Sequence, residues 1–271
     1  MTMSVPGFPV LQAPPAWRVV DFISDLHLQA GDSATFAVWR HYMAGTPADA
    51  VFILGDLFEV WVGDDVADTA GFEQDCRRIL ASTAGRCDVF FMSGNRDFLV
   101  GDAFLGACQT RRLDDPTALD FLGQRCLLSH GDALCLDDTD YQHFRAEVRS
   151  PAWQQAFLAR PLAERQAIAR DLRRQSEMRK RASQPSDYVD VDALMACTWL
   201  DTAQATTLIH GHTHRPGDHD LGDNAGPSAI RSTAMPRLQR RVLSDWDAAA
   251  TPARAQVLRL SARGLQRIDI A

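Results

Sequence analysis

Residues 50–56 read AVFILGD, five apolar side chains in succession followed by a glycine and an aspartate. An apolar run this short and continuous predicts a buried strand. The arrangement recurs on both sides of it. RVVDFIS (18–24) ends in Asp25 and His27, and CDVFFM (87–92) ends in Gly94-Asn95. RCLL (125–128) runs into His130, and TTLI (206–209) into His212 and His214. Stretches of helical character separate the strands, which predicts a layered α/β core. Each strand is followed at once by a residue able to bind a metal. Ligand sites of α/β sheets gather at the carboxyl ends of strands, so five loops are expected to meet at one place.

Taken singly, these segments say little. A DxH triplet is common, and a lone Gly-Asp or Gly-Asn is usually a turn. HGHTH (210–214) is rarer, because alternate histidines after a strand point the same way and can share an ion. All five in order, each at a strand end, point to metal. The donors are carboxylate, amide and imidazole without thiolate, which suits Mn²⁺, Fe²⁺ or Zn²⁺ in expanded coordination rather than a structural zinc. Seven such residues can hold two ions if one carboxylate bridges. Two dications ~3.5 Å apart repel by ~19 kcal/mol at an effective dielectric of ~20, whereas an anionic oxygen ~2.1 Å from each recovers ~32.

Composition fits an ordinary globular protein: 271 residues, 46% hydrophobic, 23% charged. The net charge of −7 argues against nucleic acid as the main partner. Six cysteines without a CxxC pair, and no leading apolar signal segment, predict reduced thiols in a cytoplasmic chain. No apolar run approaches the ~20 residues of a membrane-spanning helix. Residues 1–16, Pro-rich and uncharged, are expected to form a flexible tail.

Residues 140–185 stand apart as a helical insertion between two core segments, 17–139 and 186–271. From Arg160 to Arg181 there are eight basic residues against three acidic ones, including Lys180, the single lysine of the chain. Trp153, Phe157, Leu162, Ile168 and Leu172 are spaced to gather on one side of a helix. A solvated surface helix pair would explain the charge, and a lid over the metal loops would explain its position as well. Downstream, SAIRSTAM, RLQRRVLSDW, AQVLRL and LQRIDI have strand character. The alternation of Val242, Ser244 and Trp246 suits half-buried antiparallel strands that complete a second sheet.

The five metal blocks, from Asp25 to His214, resemble those of the calcineurin-like metallophosphoesterase superfamily. The resemblance implies a four-layer αββα sandwich and two divalent ions, manganese being the expected metal. By motif position Asp25, His27, Asp56 and His214 would hold the first ion, and Asp56, Asn95, His130 and His212 the second. His210 falls outside those positions and is expected to be structural. Many members have a histidine after Gly-Asn, whereas this chain has Arg96, whose planar fork suits phosphate oxygens but cannot deliver a proton near neutral pH.

GDLFEVWVGDD (55–65) and HGDALCLDDTDYQHFR (130–145) narrow the resemblance to the UDP-2,3-diacylglucosamine hydrolase family of bacterial lipid A synthesis. That likeness implies cleavage of the diphosphate of a UDP-linked diacylated glucosamine by a water activated between the metals. The products would be UMP and the acylated sugar 1-phosphate. It places Asn95, Arg96, Asp138, Ser176 and His212 at substrate contacts, with Lys180 close to one. The insertion becomes a cap with an apolar groove, on a monomer peripheral to the cytoplasmic face of the inner membrane. Arg173, Arg174, Arg179 and Arg181 would suit that anionic surface. Between Lys180 and Asp190 the chain departs from the family pattern, and contacts there are not assigned. Two other readings stand beside this one: a hydrolase of soluble nucleotides or nucleotide sugars, and a non-catalytic interaction module on the same fold. A nuclease is disfavoured by the overall acidity.

Overall fold

In the computed structural model, residues 7–182, 189–222 and 237–271 are described. Two six-stranded sheets lie face to face. In the first, β2 (Val19–Ile23), β3 (Ala50–Leu54), β4 (Asp88–Met92) and β5 (Arg111–Leu113) run parallel. On the other side of β2, β11 (Gln256–Ser261) and β12 (Gly264–Asp269) are added antiparallel. In the second sheet, β7 (Gln124–Leu128), β8 (Thr207–His210) and β10 (Gln239–Val242) run parallel. That sheet is flanked by β6 (Thr117–Phe121) and β1 (Val10–Gln12) on one side, and by β9 (Gly217–Asp220) on the other.

The continuous apolar runs follow from burial of both sheet faces. Phe22, Phe52 and Phe90 sit in register on neighbouring strands and stack at 5.3 and 4.8 Å. They meet Leu119, Phe121, Leu128 and Ile209 of the second sheet, forming the layer between the sheets. The next residues along, Ile23, Ile53 and Phe91, face outward. They pack on Trp39 and Met43 of α1 (Ser33–Gly45), Leu80 of α2 (Phe72–Ala84) and Phe104 of α3 (Asp102–Ala107). The second sheet's outer face, with Leu127 and Leu208, is covered by Trp199 and Leu200 of α7 (Ala193–Ala203). The order is therefore α, β, β, α, as expected. All six cysteines are free thiols.

Two expectations are corrected. The start of the chain is not a tail throughout: Val10–Gln12 pairs with β6 as an edge strand, and Phe8 meets the Trp199 ring edge-on at 6.1 Å. Proline is tolerated at a sheet edge, which is why a Pro-rich segment can still supply a strand. Residues 1–6 lie outside the described set. The C-terminal runs do not build one sheet either, since β10 joins the second sheet parallel to β8 while β11 and β12 extend the first. The alternating strand expected through Trp246 stops at Val242, the last residue of β10; Ser244 and Trp246 lie in the segment beyond it, and all three are buried, Trp246 against Tyr42 of α1 at 6.0 Å. The SAIRSTAM run falls outside the described residues.

Between the two core segments lie α4 (Thr139–Val148), α5 (Pro151–Leu158) and α6 (Leu162–Ala182). Asp138 caps α4, its carboxylate accepting from Tyr141 N at 3.0 Å. Ser150 caps α5 ahead of Pro151 at the first helical position. Trp153 and Phe157 stack at 4.8 Å, and with Leu162 and Ile168 they pack into the core cluster below the first sheet. Leu172 is exposed instead. Arg165, drawn from the basic run, is only 3% exposed and pairs with Asp65 and with the carbonyl of Val62. The charge run is thus partly an anchor.

Candidate metal centre

The loops after β2, β3, β4, β7 and β8 bring their polar residues together at the carboxyl ends of both sheets. Asp25, His27 and His214 offer ligand atoms that all lie within 4.8 Å of one another, and so do Asp25, Asp56 and His130. Asn95 links the groups to the remaining histidine, its Oδ1 lying 3.0 Å from His130 Nε2 and 2.9 Å from His212 Nδ1. All seven residues singled out in the sequence therefore meet.

The backbone is bent to achieve this. Asp25, His27, Asp56, His212 and His214 all have positive φ, between 48 and 66°. Each costs about 1–3 kcal/mol, and such strain concentrates at functional sites. Gly94 lies so close to Asp56 that a Cβ there would collide with the carboxylate, and a Cβ on Gly211 would strike Ser24 and Asp25. These glycines are fixed by close approach.

Hydrogen bonds hold the carboxylates in place. Asp25 accepts the backbone N–H of His212 and the Ser24 hydroxyl, which lies 2.8 Å from Oδ2. Arg96 N donates to Asp56 Oδ1 at 2.8 Å. Asp97, fully buried, accepts from Gly94 N at 2.8 Å and Leu57 N at 2.7 Å, tying the two aspartate and asparagine loops together.

A test of whether these residues fit cations comes from His130. Its Nδ1 lies 2.9 Å from the carbonyl oxygen of Leu54, which can only accept, so the proton of a neutral ring sits there. The lone pair on Nε2 then faces Asn95 Oδ1 at 3.0 Å and Asp56 Oδ1 at 3.7 Å, both electron-rich. Three electron-pair groups facing one another call for a proton or a cation between them. His27 Nε2 and His214 Nε2 face each other in the same way at 3.2 Å, with Asp25 Oδ1 3.4 Å from the latter. Without ions, protons serve. Burial disfavours a charged His130, but Asp56, Asp132 and Asp25 outweigh it and push the ring up to about 9. Burial likewise opposes the Asp25 anion, yet His214, His130 and His27 hold its carboxyl well below the usual range. Burial and then the His130 charge bring His212 down to about 4. The residues present fit divalent cations.

The other sequence candidates are placed as follows. Arg96 lies at the rim, 3.7 Å from Glu59. Asp138 is seen as the α4 cap. Ser176 and Lys180 are on α6, and their side chains lie outside the described residues, as do those of Arg179 and Arg181. Arg173, expected to face a membrane, forms an ion pair with Glu59 beside His27. Arg174 pairs with Asp171 along its own helix. His210 is buried, facing the Gly211 carbonyl at 2.8 Å, and burial followed by the Arg240 charge brings it down to about 3.

The sequence gives no role to Glu59 or Asp132, although both stand inside the quoted motifs, nor to Asp97, which follows Asn95-Arg96. Asp132 is fully buried and receives the Tyr141 hydroxyl at 2.6 Å, Arg145 at 2.8 Å and Arg149 at 3.3 Å. Arg149 also donates to Gly94 O at 2.9 Å, so the insertion reaches the Asn95 loop.

Comparison with known proteins agrees with this geometry. The calcineurin-like phosphoesterase profile matches residues 19–216. A UDP-2,3-diacylglucosamine hydrolase of Chromobacterium violaceum is 48% identical over 207 residues, covering 74% of this chain and 84% of that protein. The enzyme of that name from Aromatoleum aromaticum is 45% identical over 231 residues, 83% and 88% of the two chains. One from Xanthomonas campestris pv. campestris is 41% identical over 263 residues, 92% and 98%.

Proposed function

Since this chain belongs to the calcineurin-like phosphoesterases, and among them to the UDP-2,3-diacylglucosamine hydrolases, we propose that it hydrolyses the diphosphate of UDP-2,3-diacylglucosamine to UMP and 2,3-diacylglucosamine 1-phosphate in lipid A synthesis. The family uses a dinuclear metal site, and candidate ligands for one are present. The observation that supports the reading is the approach of His130 Nε2, Asn95 Oδ1 and Asp56 Oδ1 to one another, an electron-rich cluster that a divalent cation would neutralise.

In this reading Asp25, His27, Asp56 and His214 would hold one ion, and Asp56, Asn95, His130 and His212 the other, with Mn²⁺ as the metal. Such a pair supplies Lewis acidity, lowering the pKa of a water and neutralising charge that develops on the phosphoryl group. The protein's own part is positioning. Ser24 and the His212 amide hold Asp25, while the Arg96 amide holds Asp56, so that the carboxylates keep their shape when charge develops. Arg96 offers its fork to diphosphate oxygens at the rim. His212, Asp138, Ser176 and Lys180 complete the substrate contacts. Neither leaving group needs a strong acid, since a sugar phosphate or nucleoside phosphate departs as a stable anion.

Residues 140–185 would act as a cap for the acyl chains. Exposed apolar side chains on these helices, Phe144 of α4 and Leu172 and Met178 of α6, support it. No helix among the described residues is long and apolar enough to cross a membrane. A monomer resting on the cytoplasmic face of the inner membrane would still meet its lipid substrate.

The test is incubation of the purified chain with UDP-2,3-diacylglucosamine and Mn²⁺, followed by ³¹P NMR. UMP and the acylated sugar phosphate should appear in equal amounts, and His27→Ala should abolish both. Equal turnover of a UDP-sugar without acyl chains would shift the reading to soluble nucleotide sugars.

A further inference from the structure

Glu59 belongs to none of the ligand positions, yet three site residues meet at its carboxylate. Oε2 lies 3.2 Å from His27 Nδ1. Oε1 pairs with Arg173 of α6 and lies 3.7 Å from Arg96. The side chain is only 10% exposed. Backbone hydrogen bonds deliver it there: His27 N donates to Asp56 O at 3.0 Å, Leu28 N to Leu57 O at 2.9 Å and Glu59 N to Leu28 O at 3.1 Å. The two loops are zipped side by side, and side chains at 27 and 59 are bound to meet.

We propose that Glu59 is a positioning residue for His27, fixing the proton on Nδ1 so that Nε2 presents its lone pair to the metal centre, and that it joins this ligand to Arg96 and to α6. The inference rests on the dinuclear reading of the site. A neutral imidazole has one donor and one acceptor nitrogen, and an ionised carboxylate can only accept. A carboxylate behind Nδ1 therefore selects the tautomer that leaves Nε2 free, and ligating histidines are commonly oriented in this way. His27 has particular need of it. Its backbone is left-handed, and its side chain is 18% exposed. Among the described residues Nδ1 has no aligned hydrogen-bond partner, and Glu59 stands beside it, 3.2 Å away. An N–H on Nδ1 would have Oε2 of Glu59 as the acceptor within reach. Because the other oxygen holds Arg173, loading of the first ion and docking of α6 share one carboxylate.

The experiment is calorimetric titration of the full, metal-stripped chain with Mn²⁺ alone, comparing wild type with Glu59→Leu, Glu59→Gln and Arg173→Gln. Wild type should take up two ions, and a failure there would defeat the dinuclear reading rather than this one. Glu59→Leu should keep one ion at wild-type affinity and bind the other about 10–100-fold more weakly. Glu59→Gln, whose amide oxygen still accepts from Nδ1–H, should recover most of that loss. Arg173→Gln, which leaves the carboxylate beside Nδ1, should weaken the same ion far less than Glu59→Leu does. Wild-type affinity for both ions in Glu59→Leu overturns the proposal, and so does an equal loss in Arg173→Gln, which would trace the effect to docking of α6. Should Glu59→Leu fail to fold, Glu59→Asp replaces it. One methylene shorter, it falls out of reach of Nδ1 and should lose the same ion, and undiminished binding by it overturns the proposal too.

Discussion

Replacing Asp132 by asparagine cuts the join between the core and the first helix of the insertion. One oxygen of this buried carboxylate receives a tyrosine hydroxyl and two guanidinium groups. Burial by itself would raise its pKa, but Arg145 and Arg149, then His130 and His212, hold it well below the usual carboxylate range. A depressed folded pKa means that the stabilisation is present above the unfolded value of 3.8 and is lost as pH falls below it. Asparagine keeps an acceptor oxygen without the charge, and it leaves two largely buried cations unbalanced. Breaking a buried pair from one side costs about 3–5 kcal/mol. With an unfolding entropy of about 2.1 cal/mol/K per residue, a chain of this length melts about 2 °C lower for each kcal/mol. Asp132→Asn should therefore melt roughly 5–9 °C below wild type at about neutral pH, read by calorimetry on the metal-free protein. Arg149, relieved of its partner, also steadies Gly94, so turnover with Mn²⁺ should fall on the order of tenfold. A melting point within about 1 °C of wild type would refute the idea that this cluster fastens the insertion.

Two other outcomes are expected. His210 is held at about 3 against 6.5 for a free ring, so the unfolded chain binds more protons between those values, and stability rises with pH across that window. His210→Gln should flatten the slope, reducing the difference in urea-unfolding free energy between about pH 5 and pH 7 by roughly 2 kcal/mol; an unchanged slope would contradict the assignment. Arg165→Met leaves the carbonyls of Val62 and Arg160 without their donor, which costs about 2–3 kcal/mol. Trypsin should then cut α6 well before the core, and an unaltered digestion pattern would show that Arg165 does not hold the helix.

The parts of the molecule that could be read in advance are those written in adjacent residues. AVFIL, VVDFI and VFFM become strands because both faces of their sheets are covered, and a strand buried on both faces is apolar nearly throughout, Asp21 being the exception, held by Arg259 and Tyr42. The candidate ligands were legible for a related reason: each stands soon after such a run. What escaped depends on contacts between distant segments. Val10–Gln12 finds its partner strand more than a hundred residues away, and no local pattern marks it. The C-terminal strands have equal strand character, and only three-dimensional packing assigns one to the second sheet and two to the first. Glu59 and Asp132 were visible as letters in a motif, but their partners Arg173, Arg145 and Arg149 sit on helices whose basic residues look alike in sequence. Positive φ at five of the seven candidate ligands carries no sequence signature beyond the neighbouring glycines.

The division of the candidate ligands between the sheets has a mechanical consequence. Asp25, His27, Asp56 and Asn95 follow strands of one sheet, whereas His130, His212 and His214 follow strands of the other. A cation held there would rivet two slabs whose shared interior layer is apolar. Loading the centre should stiffen the upper rim against sliding, and a residue swap deep between the slabs, far from any donor atom, should be felt as a change in how tightly the ions are gripped.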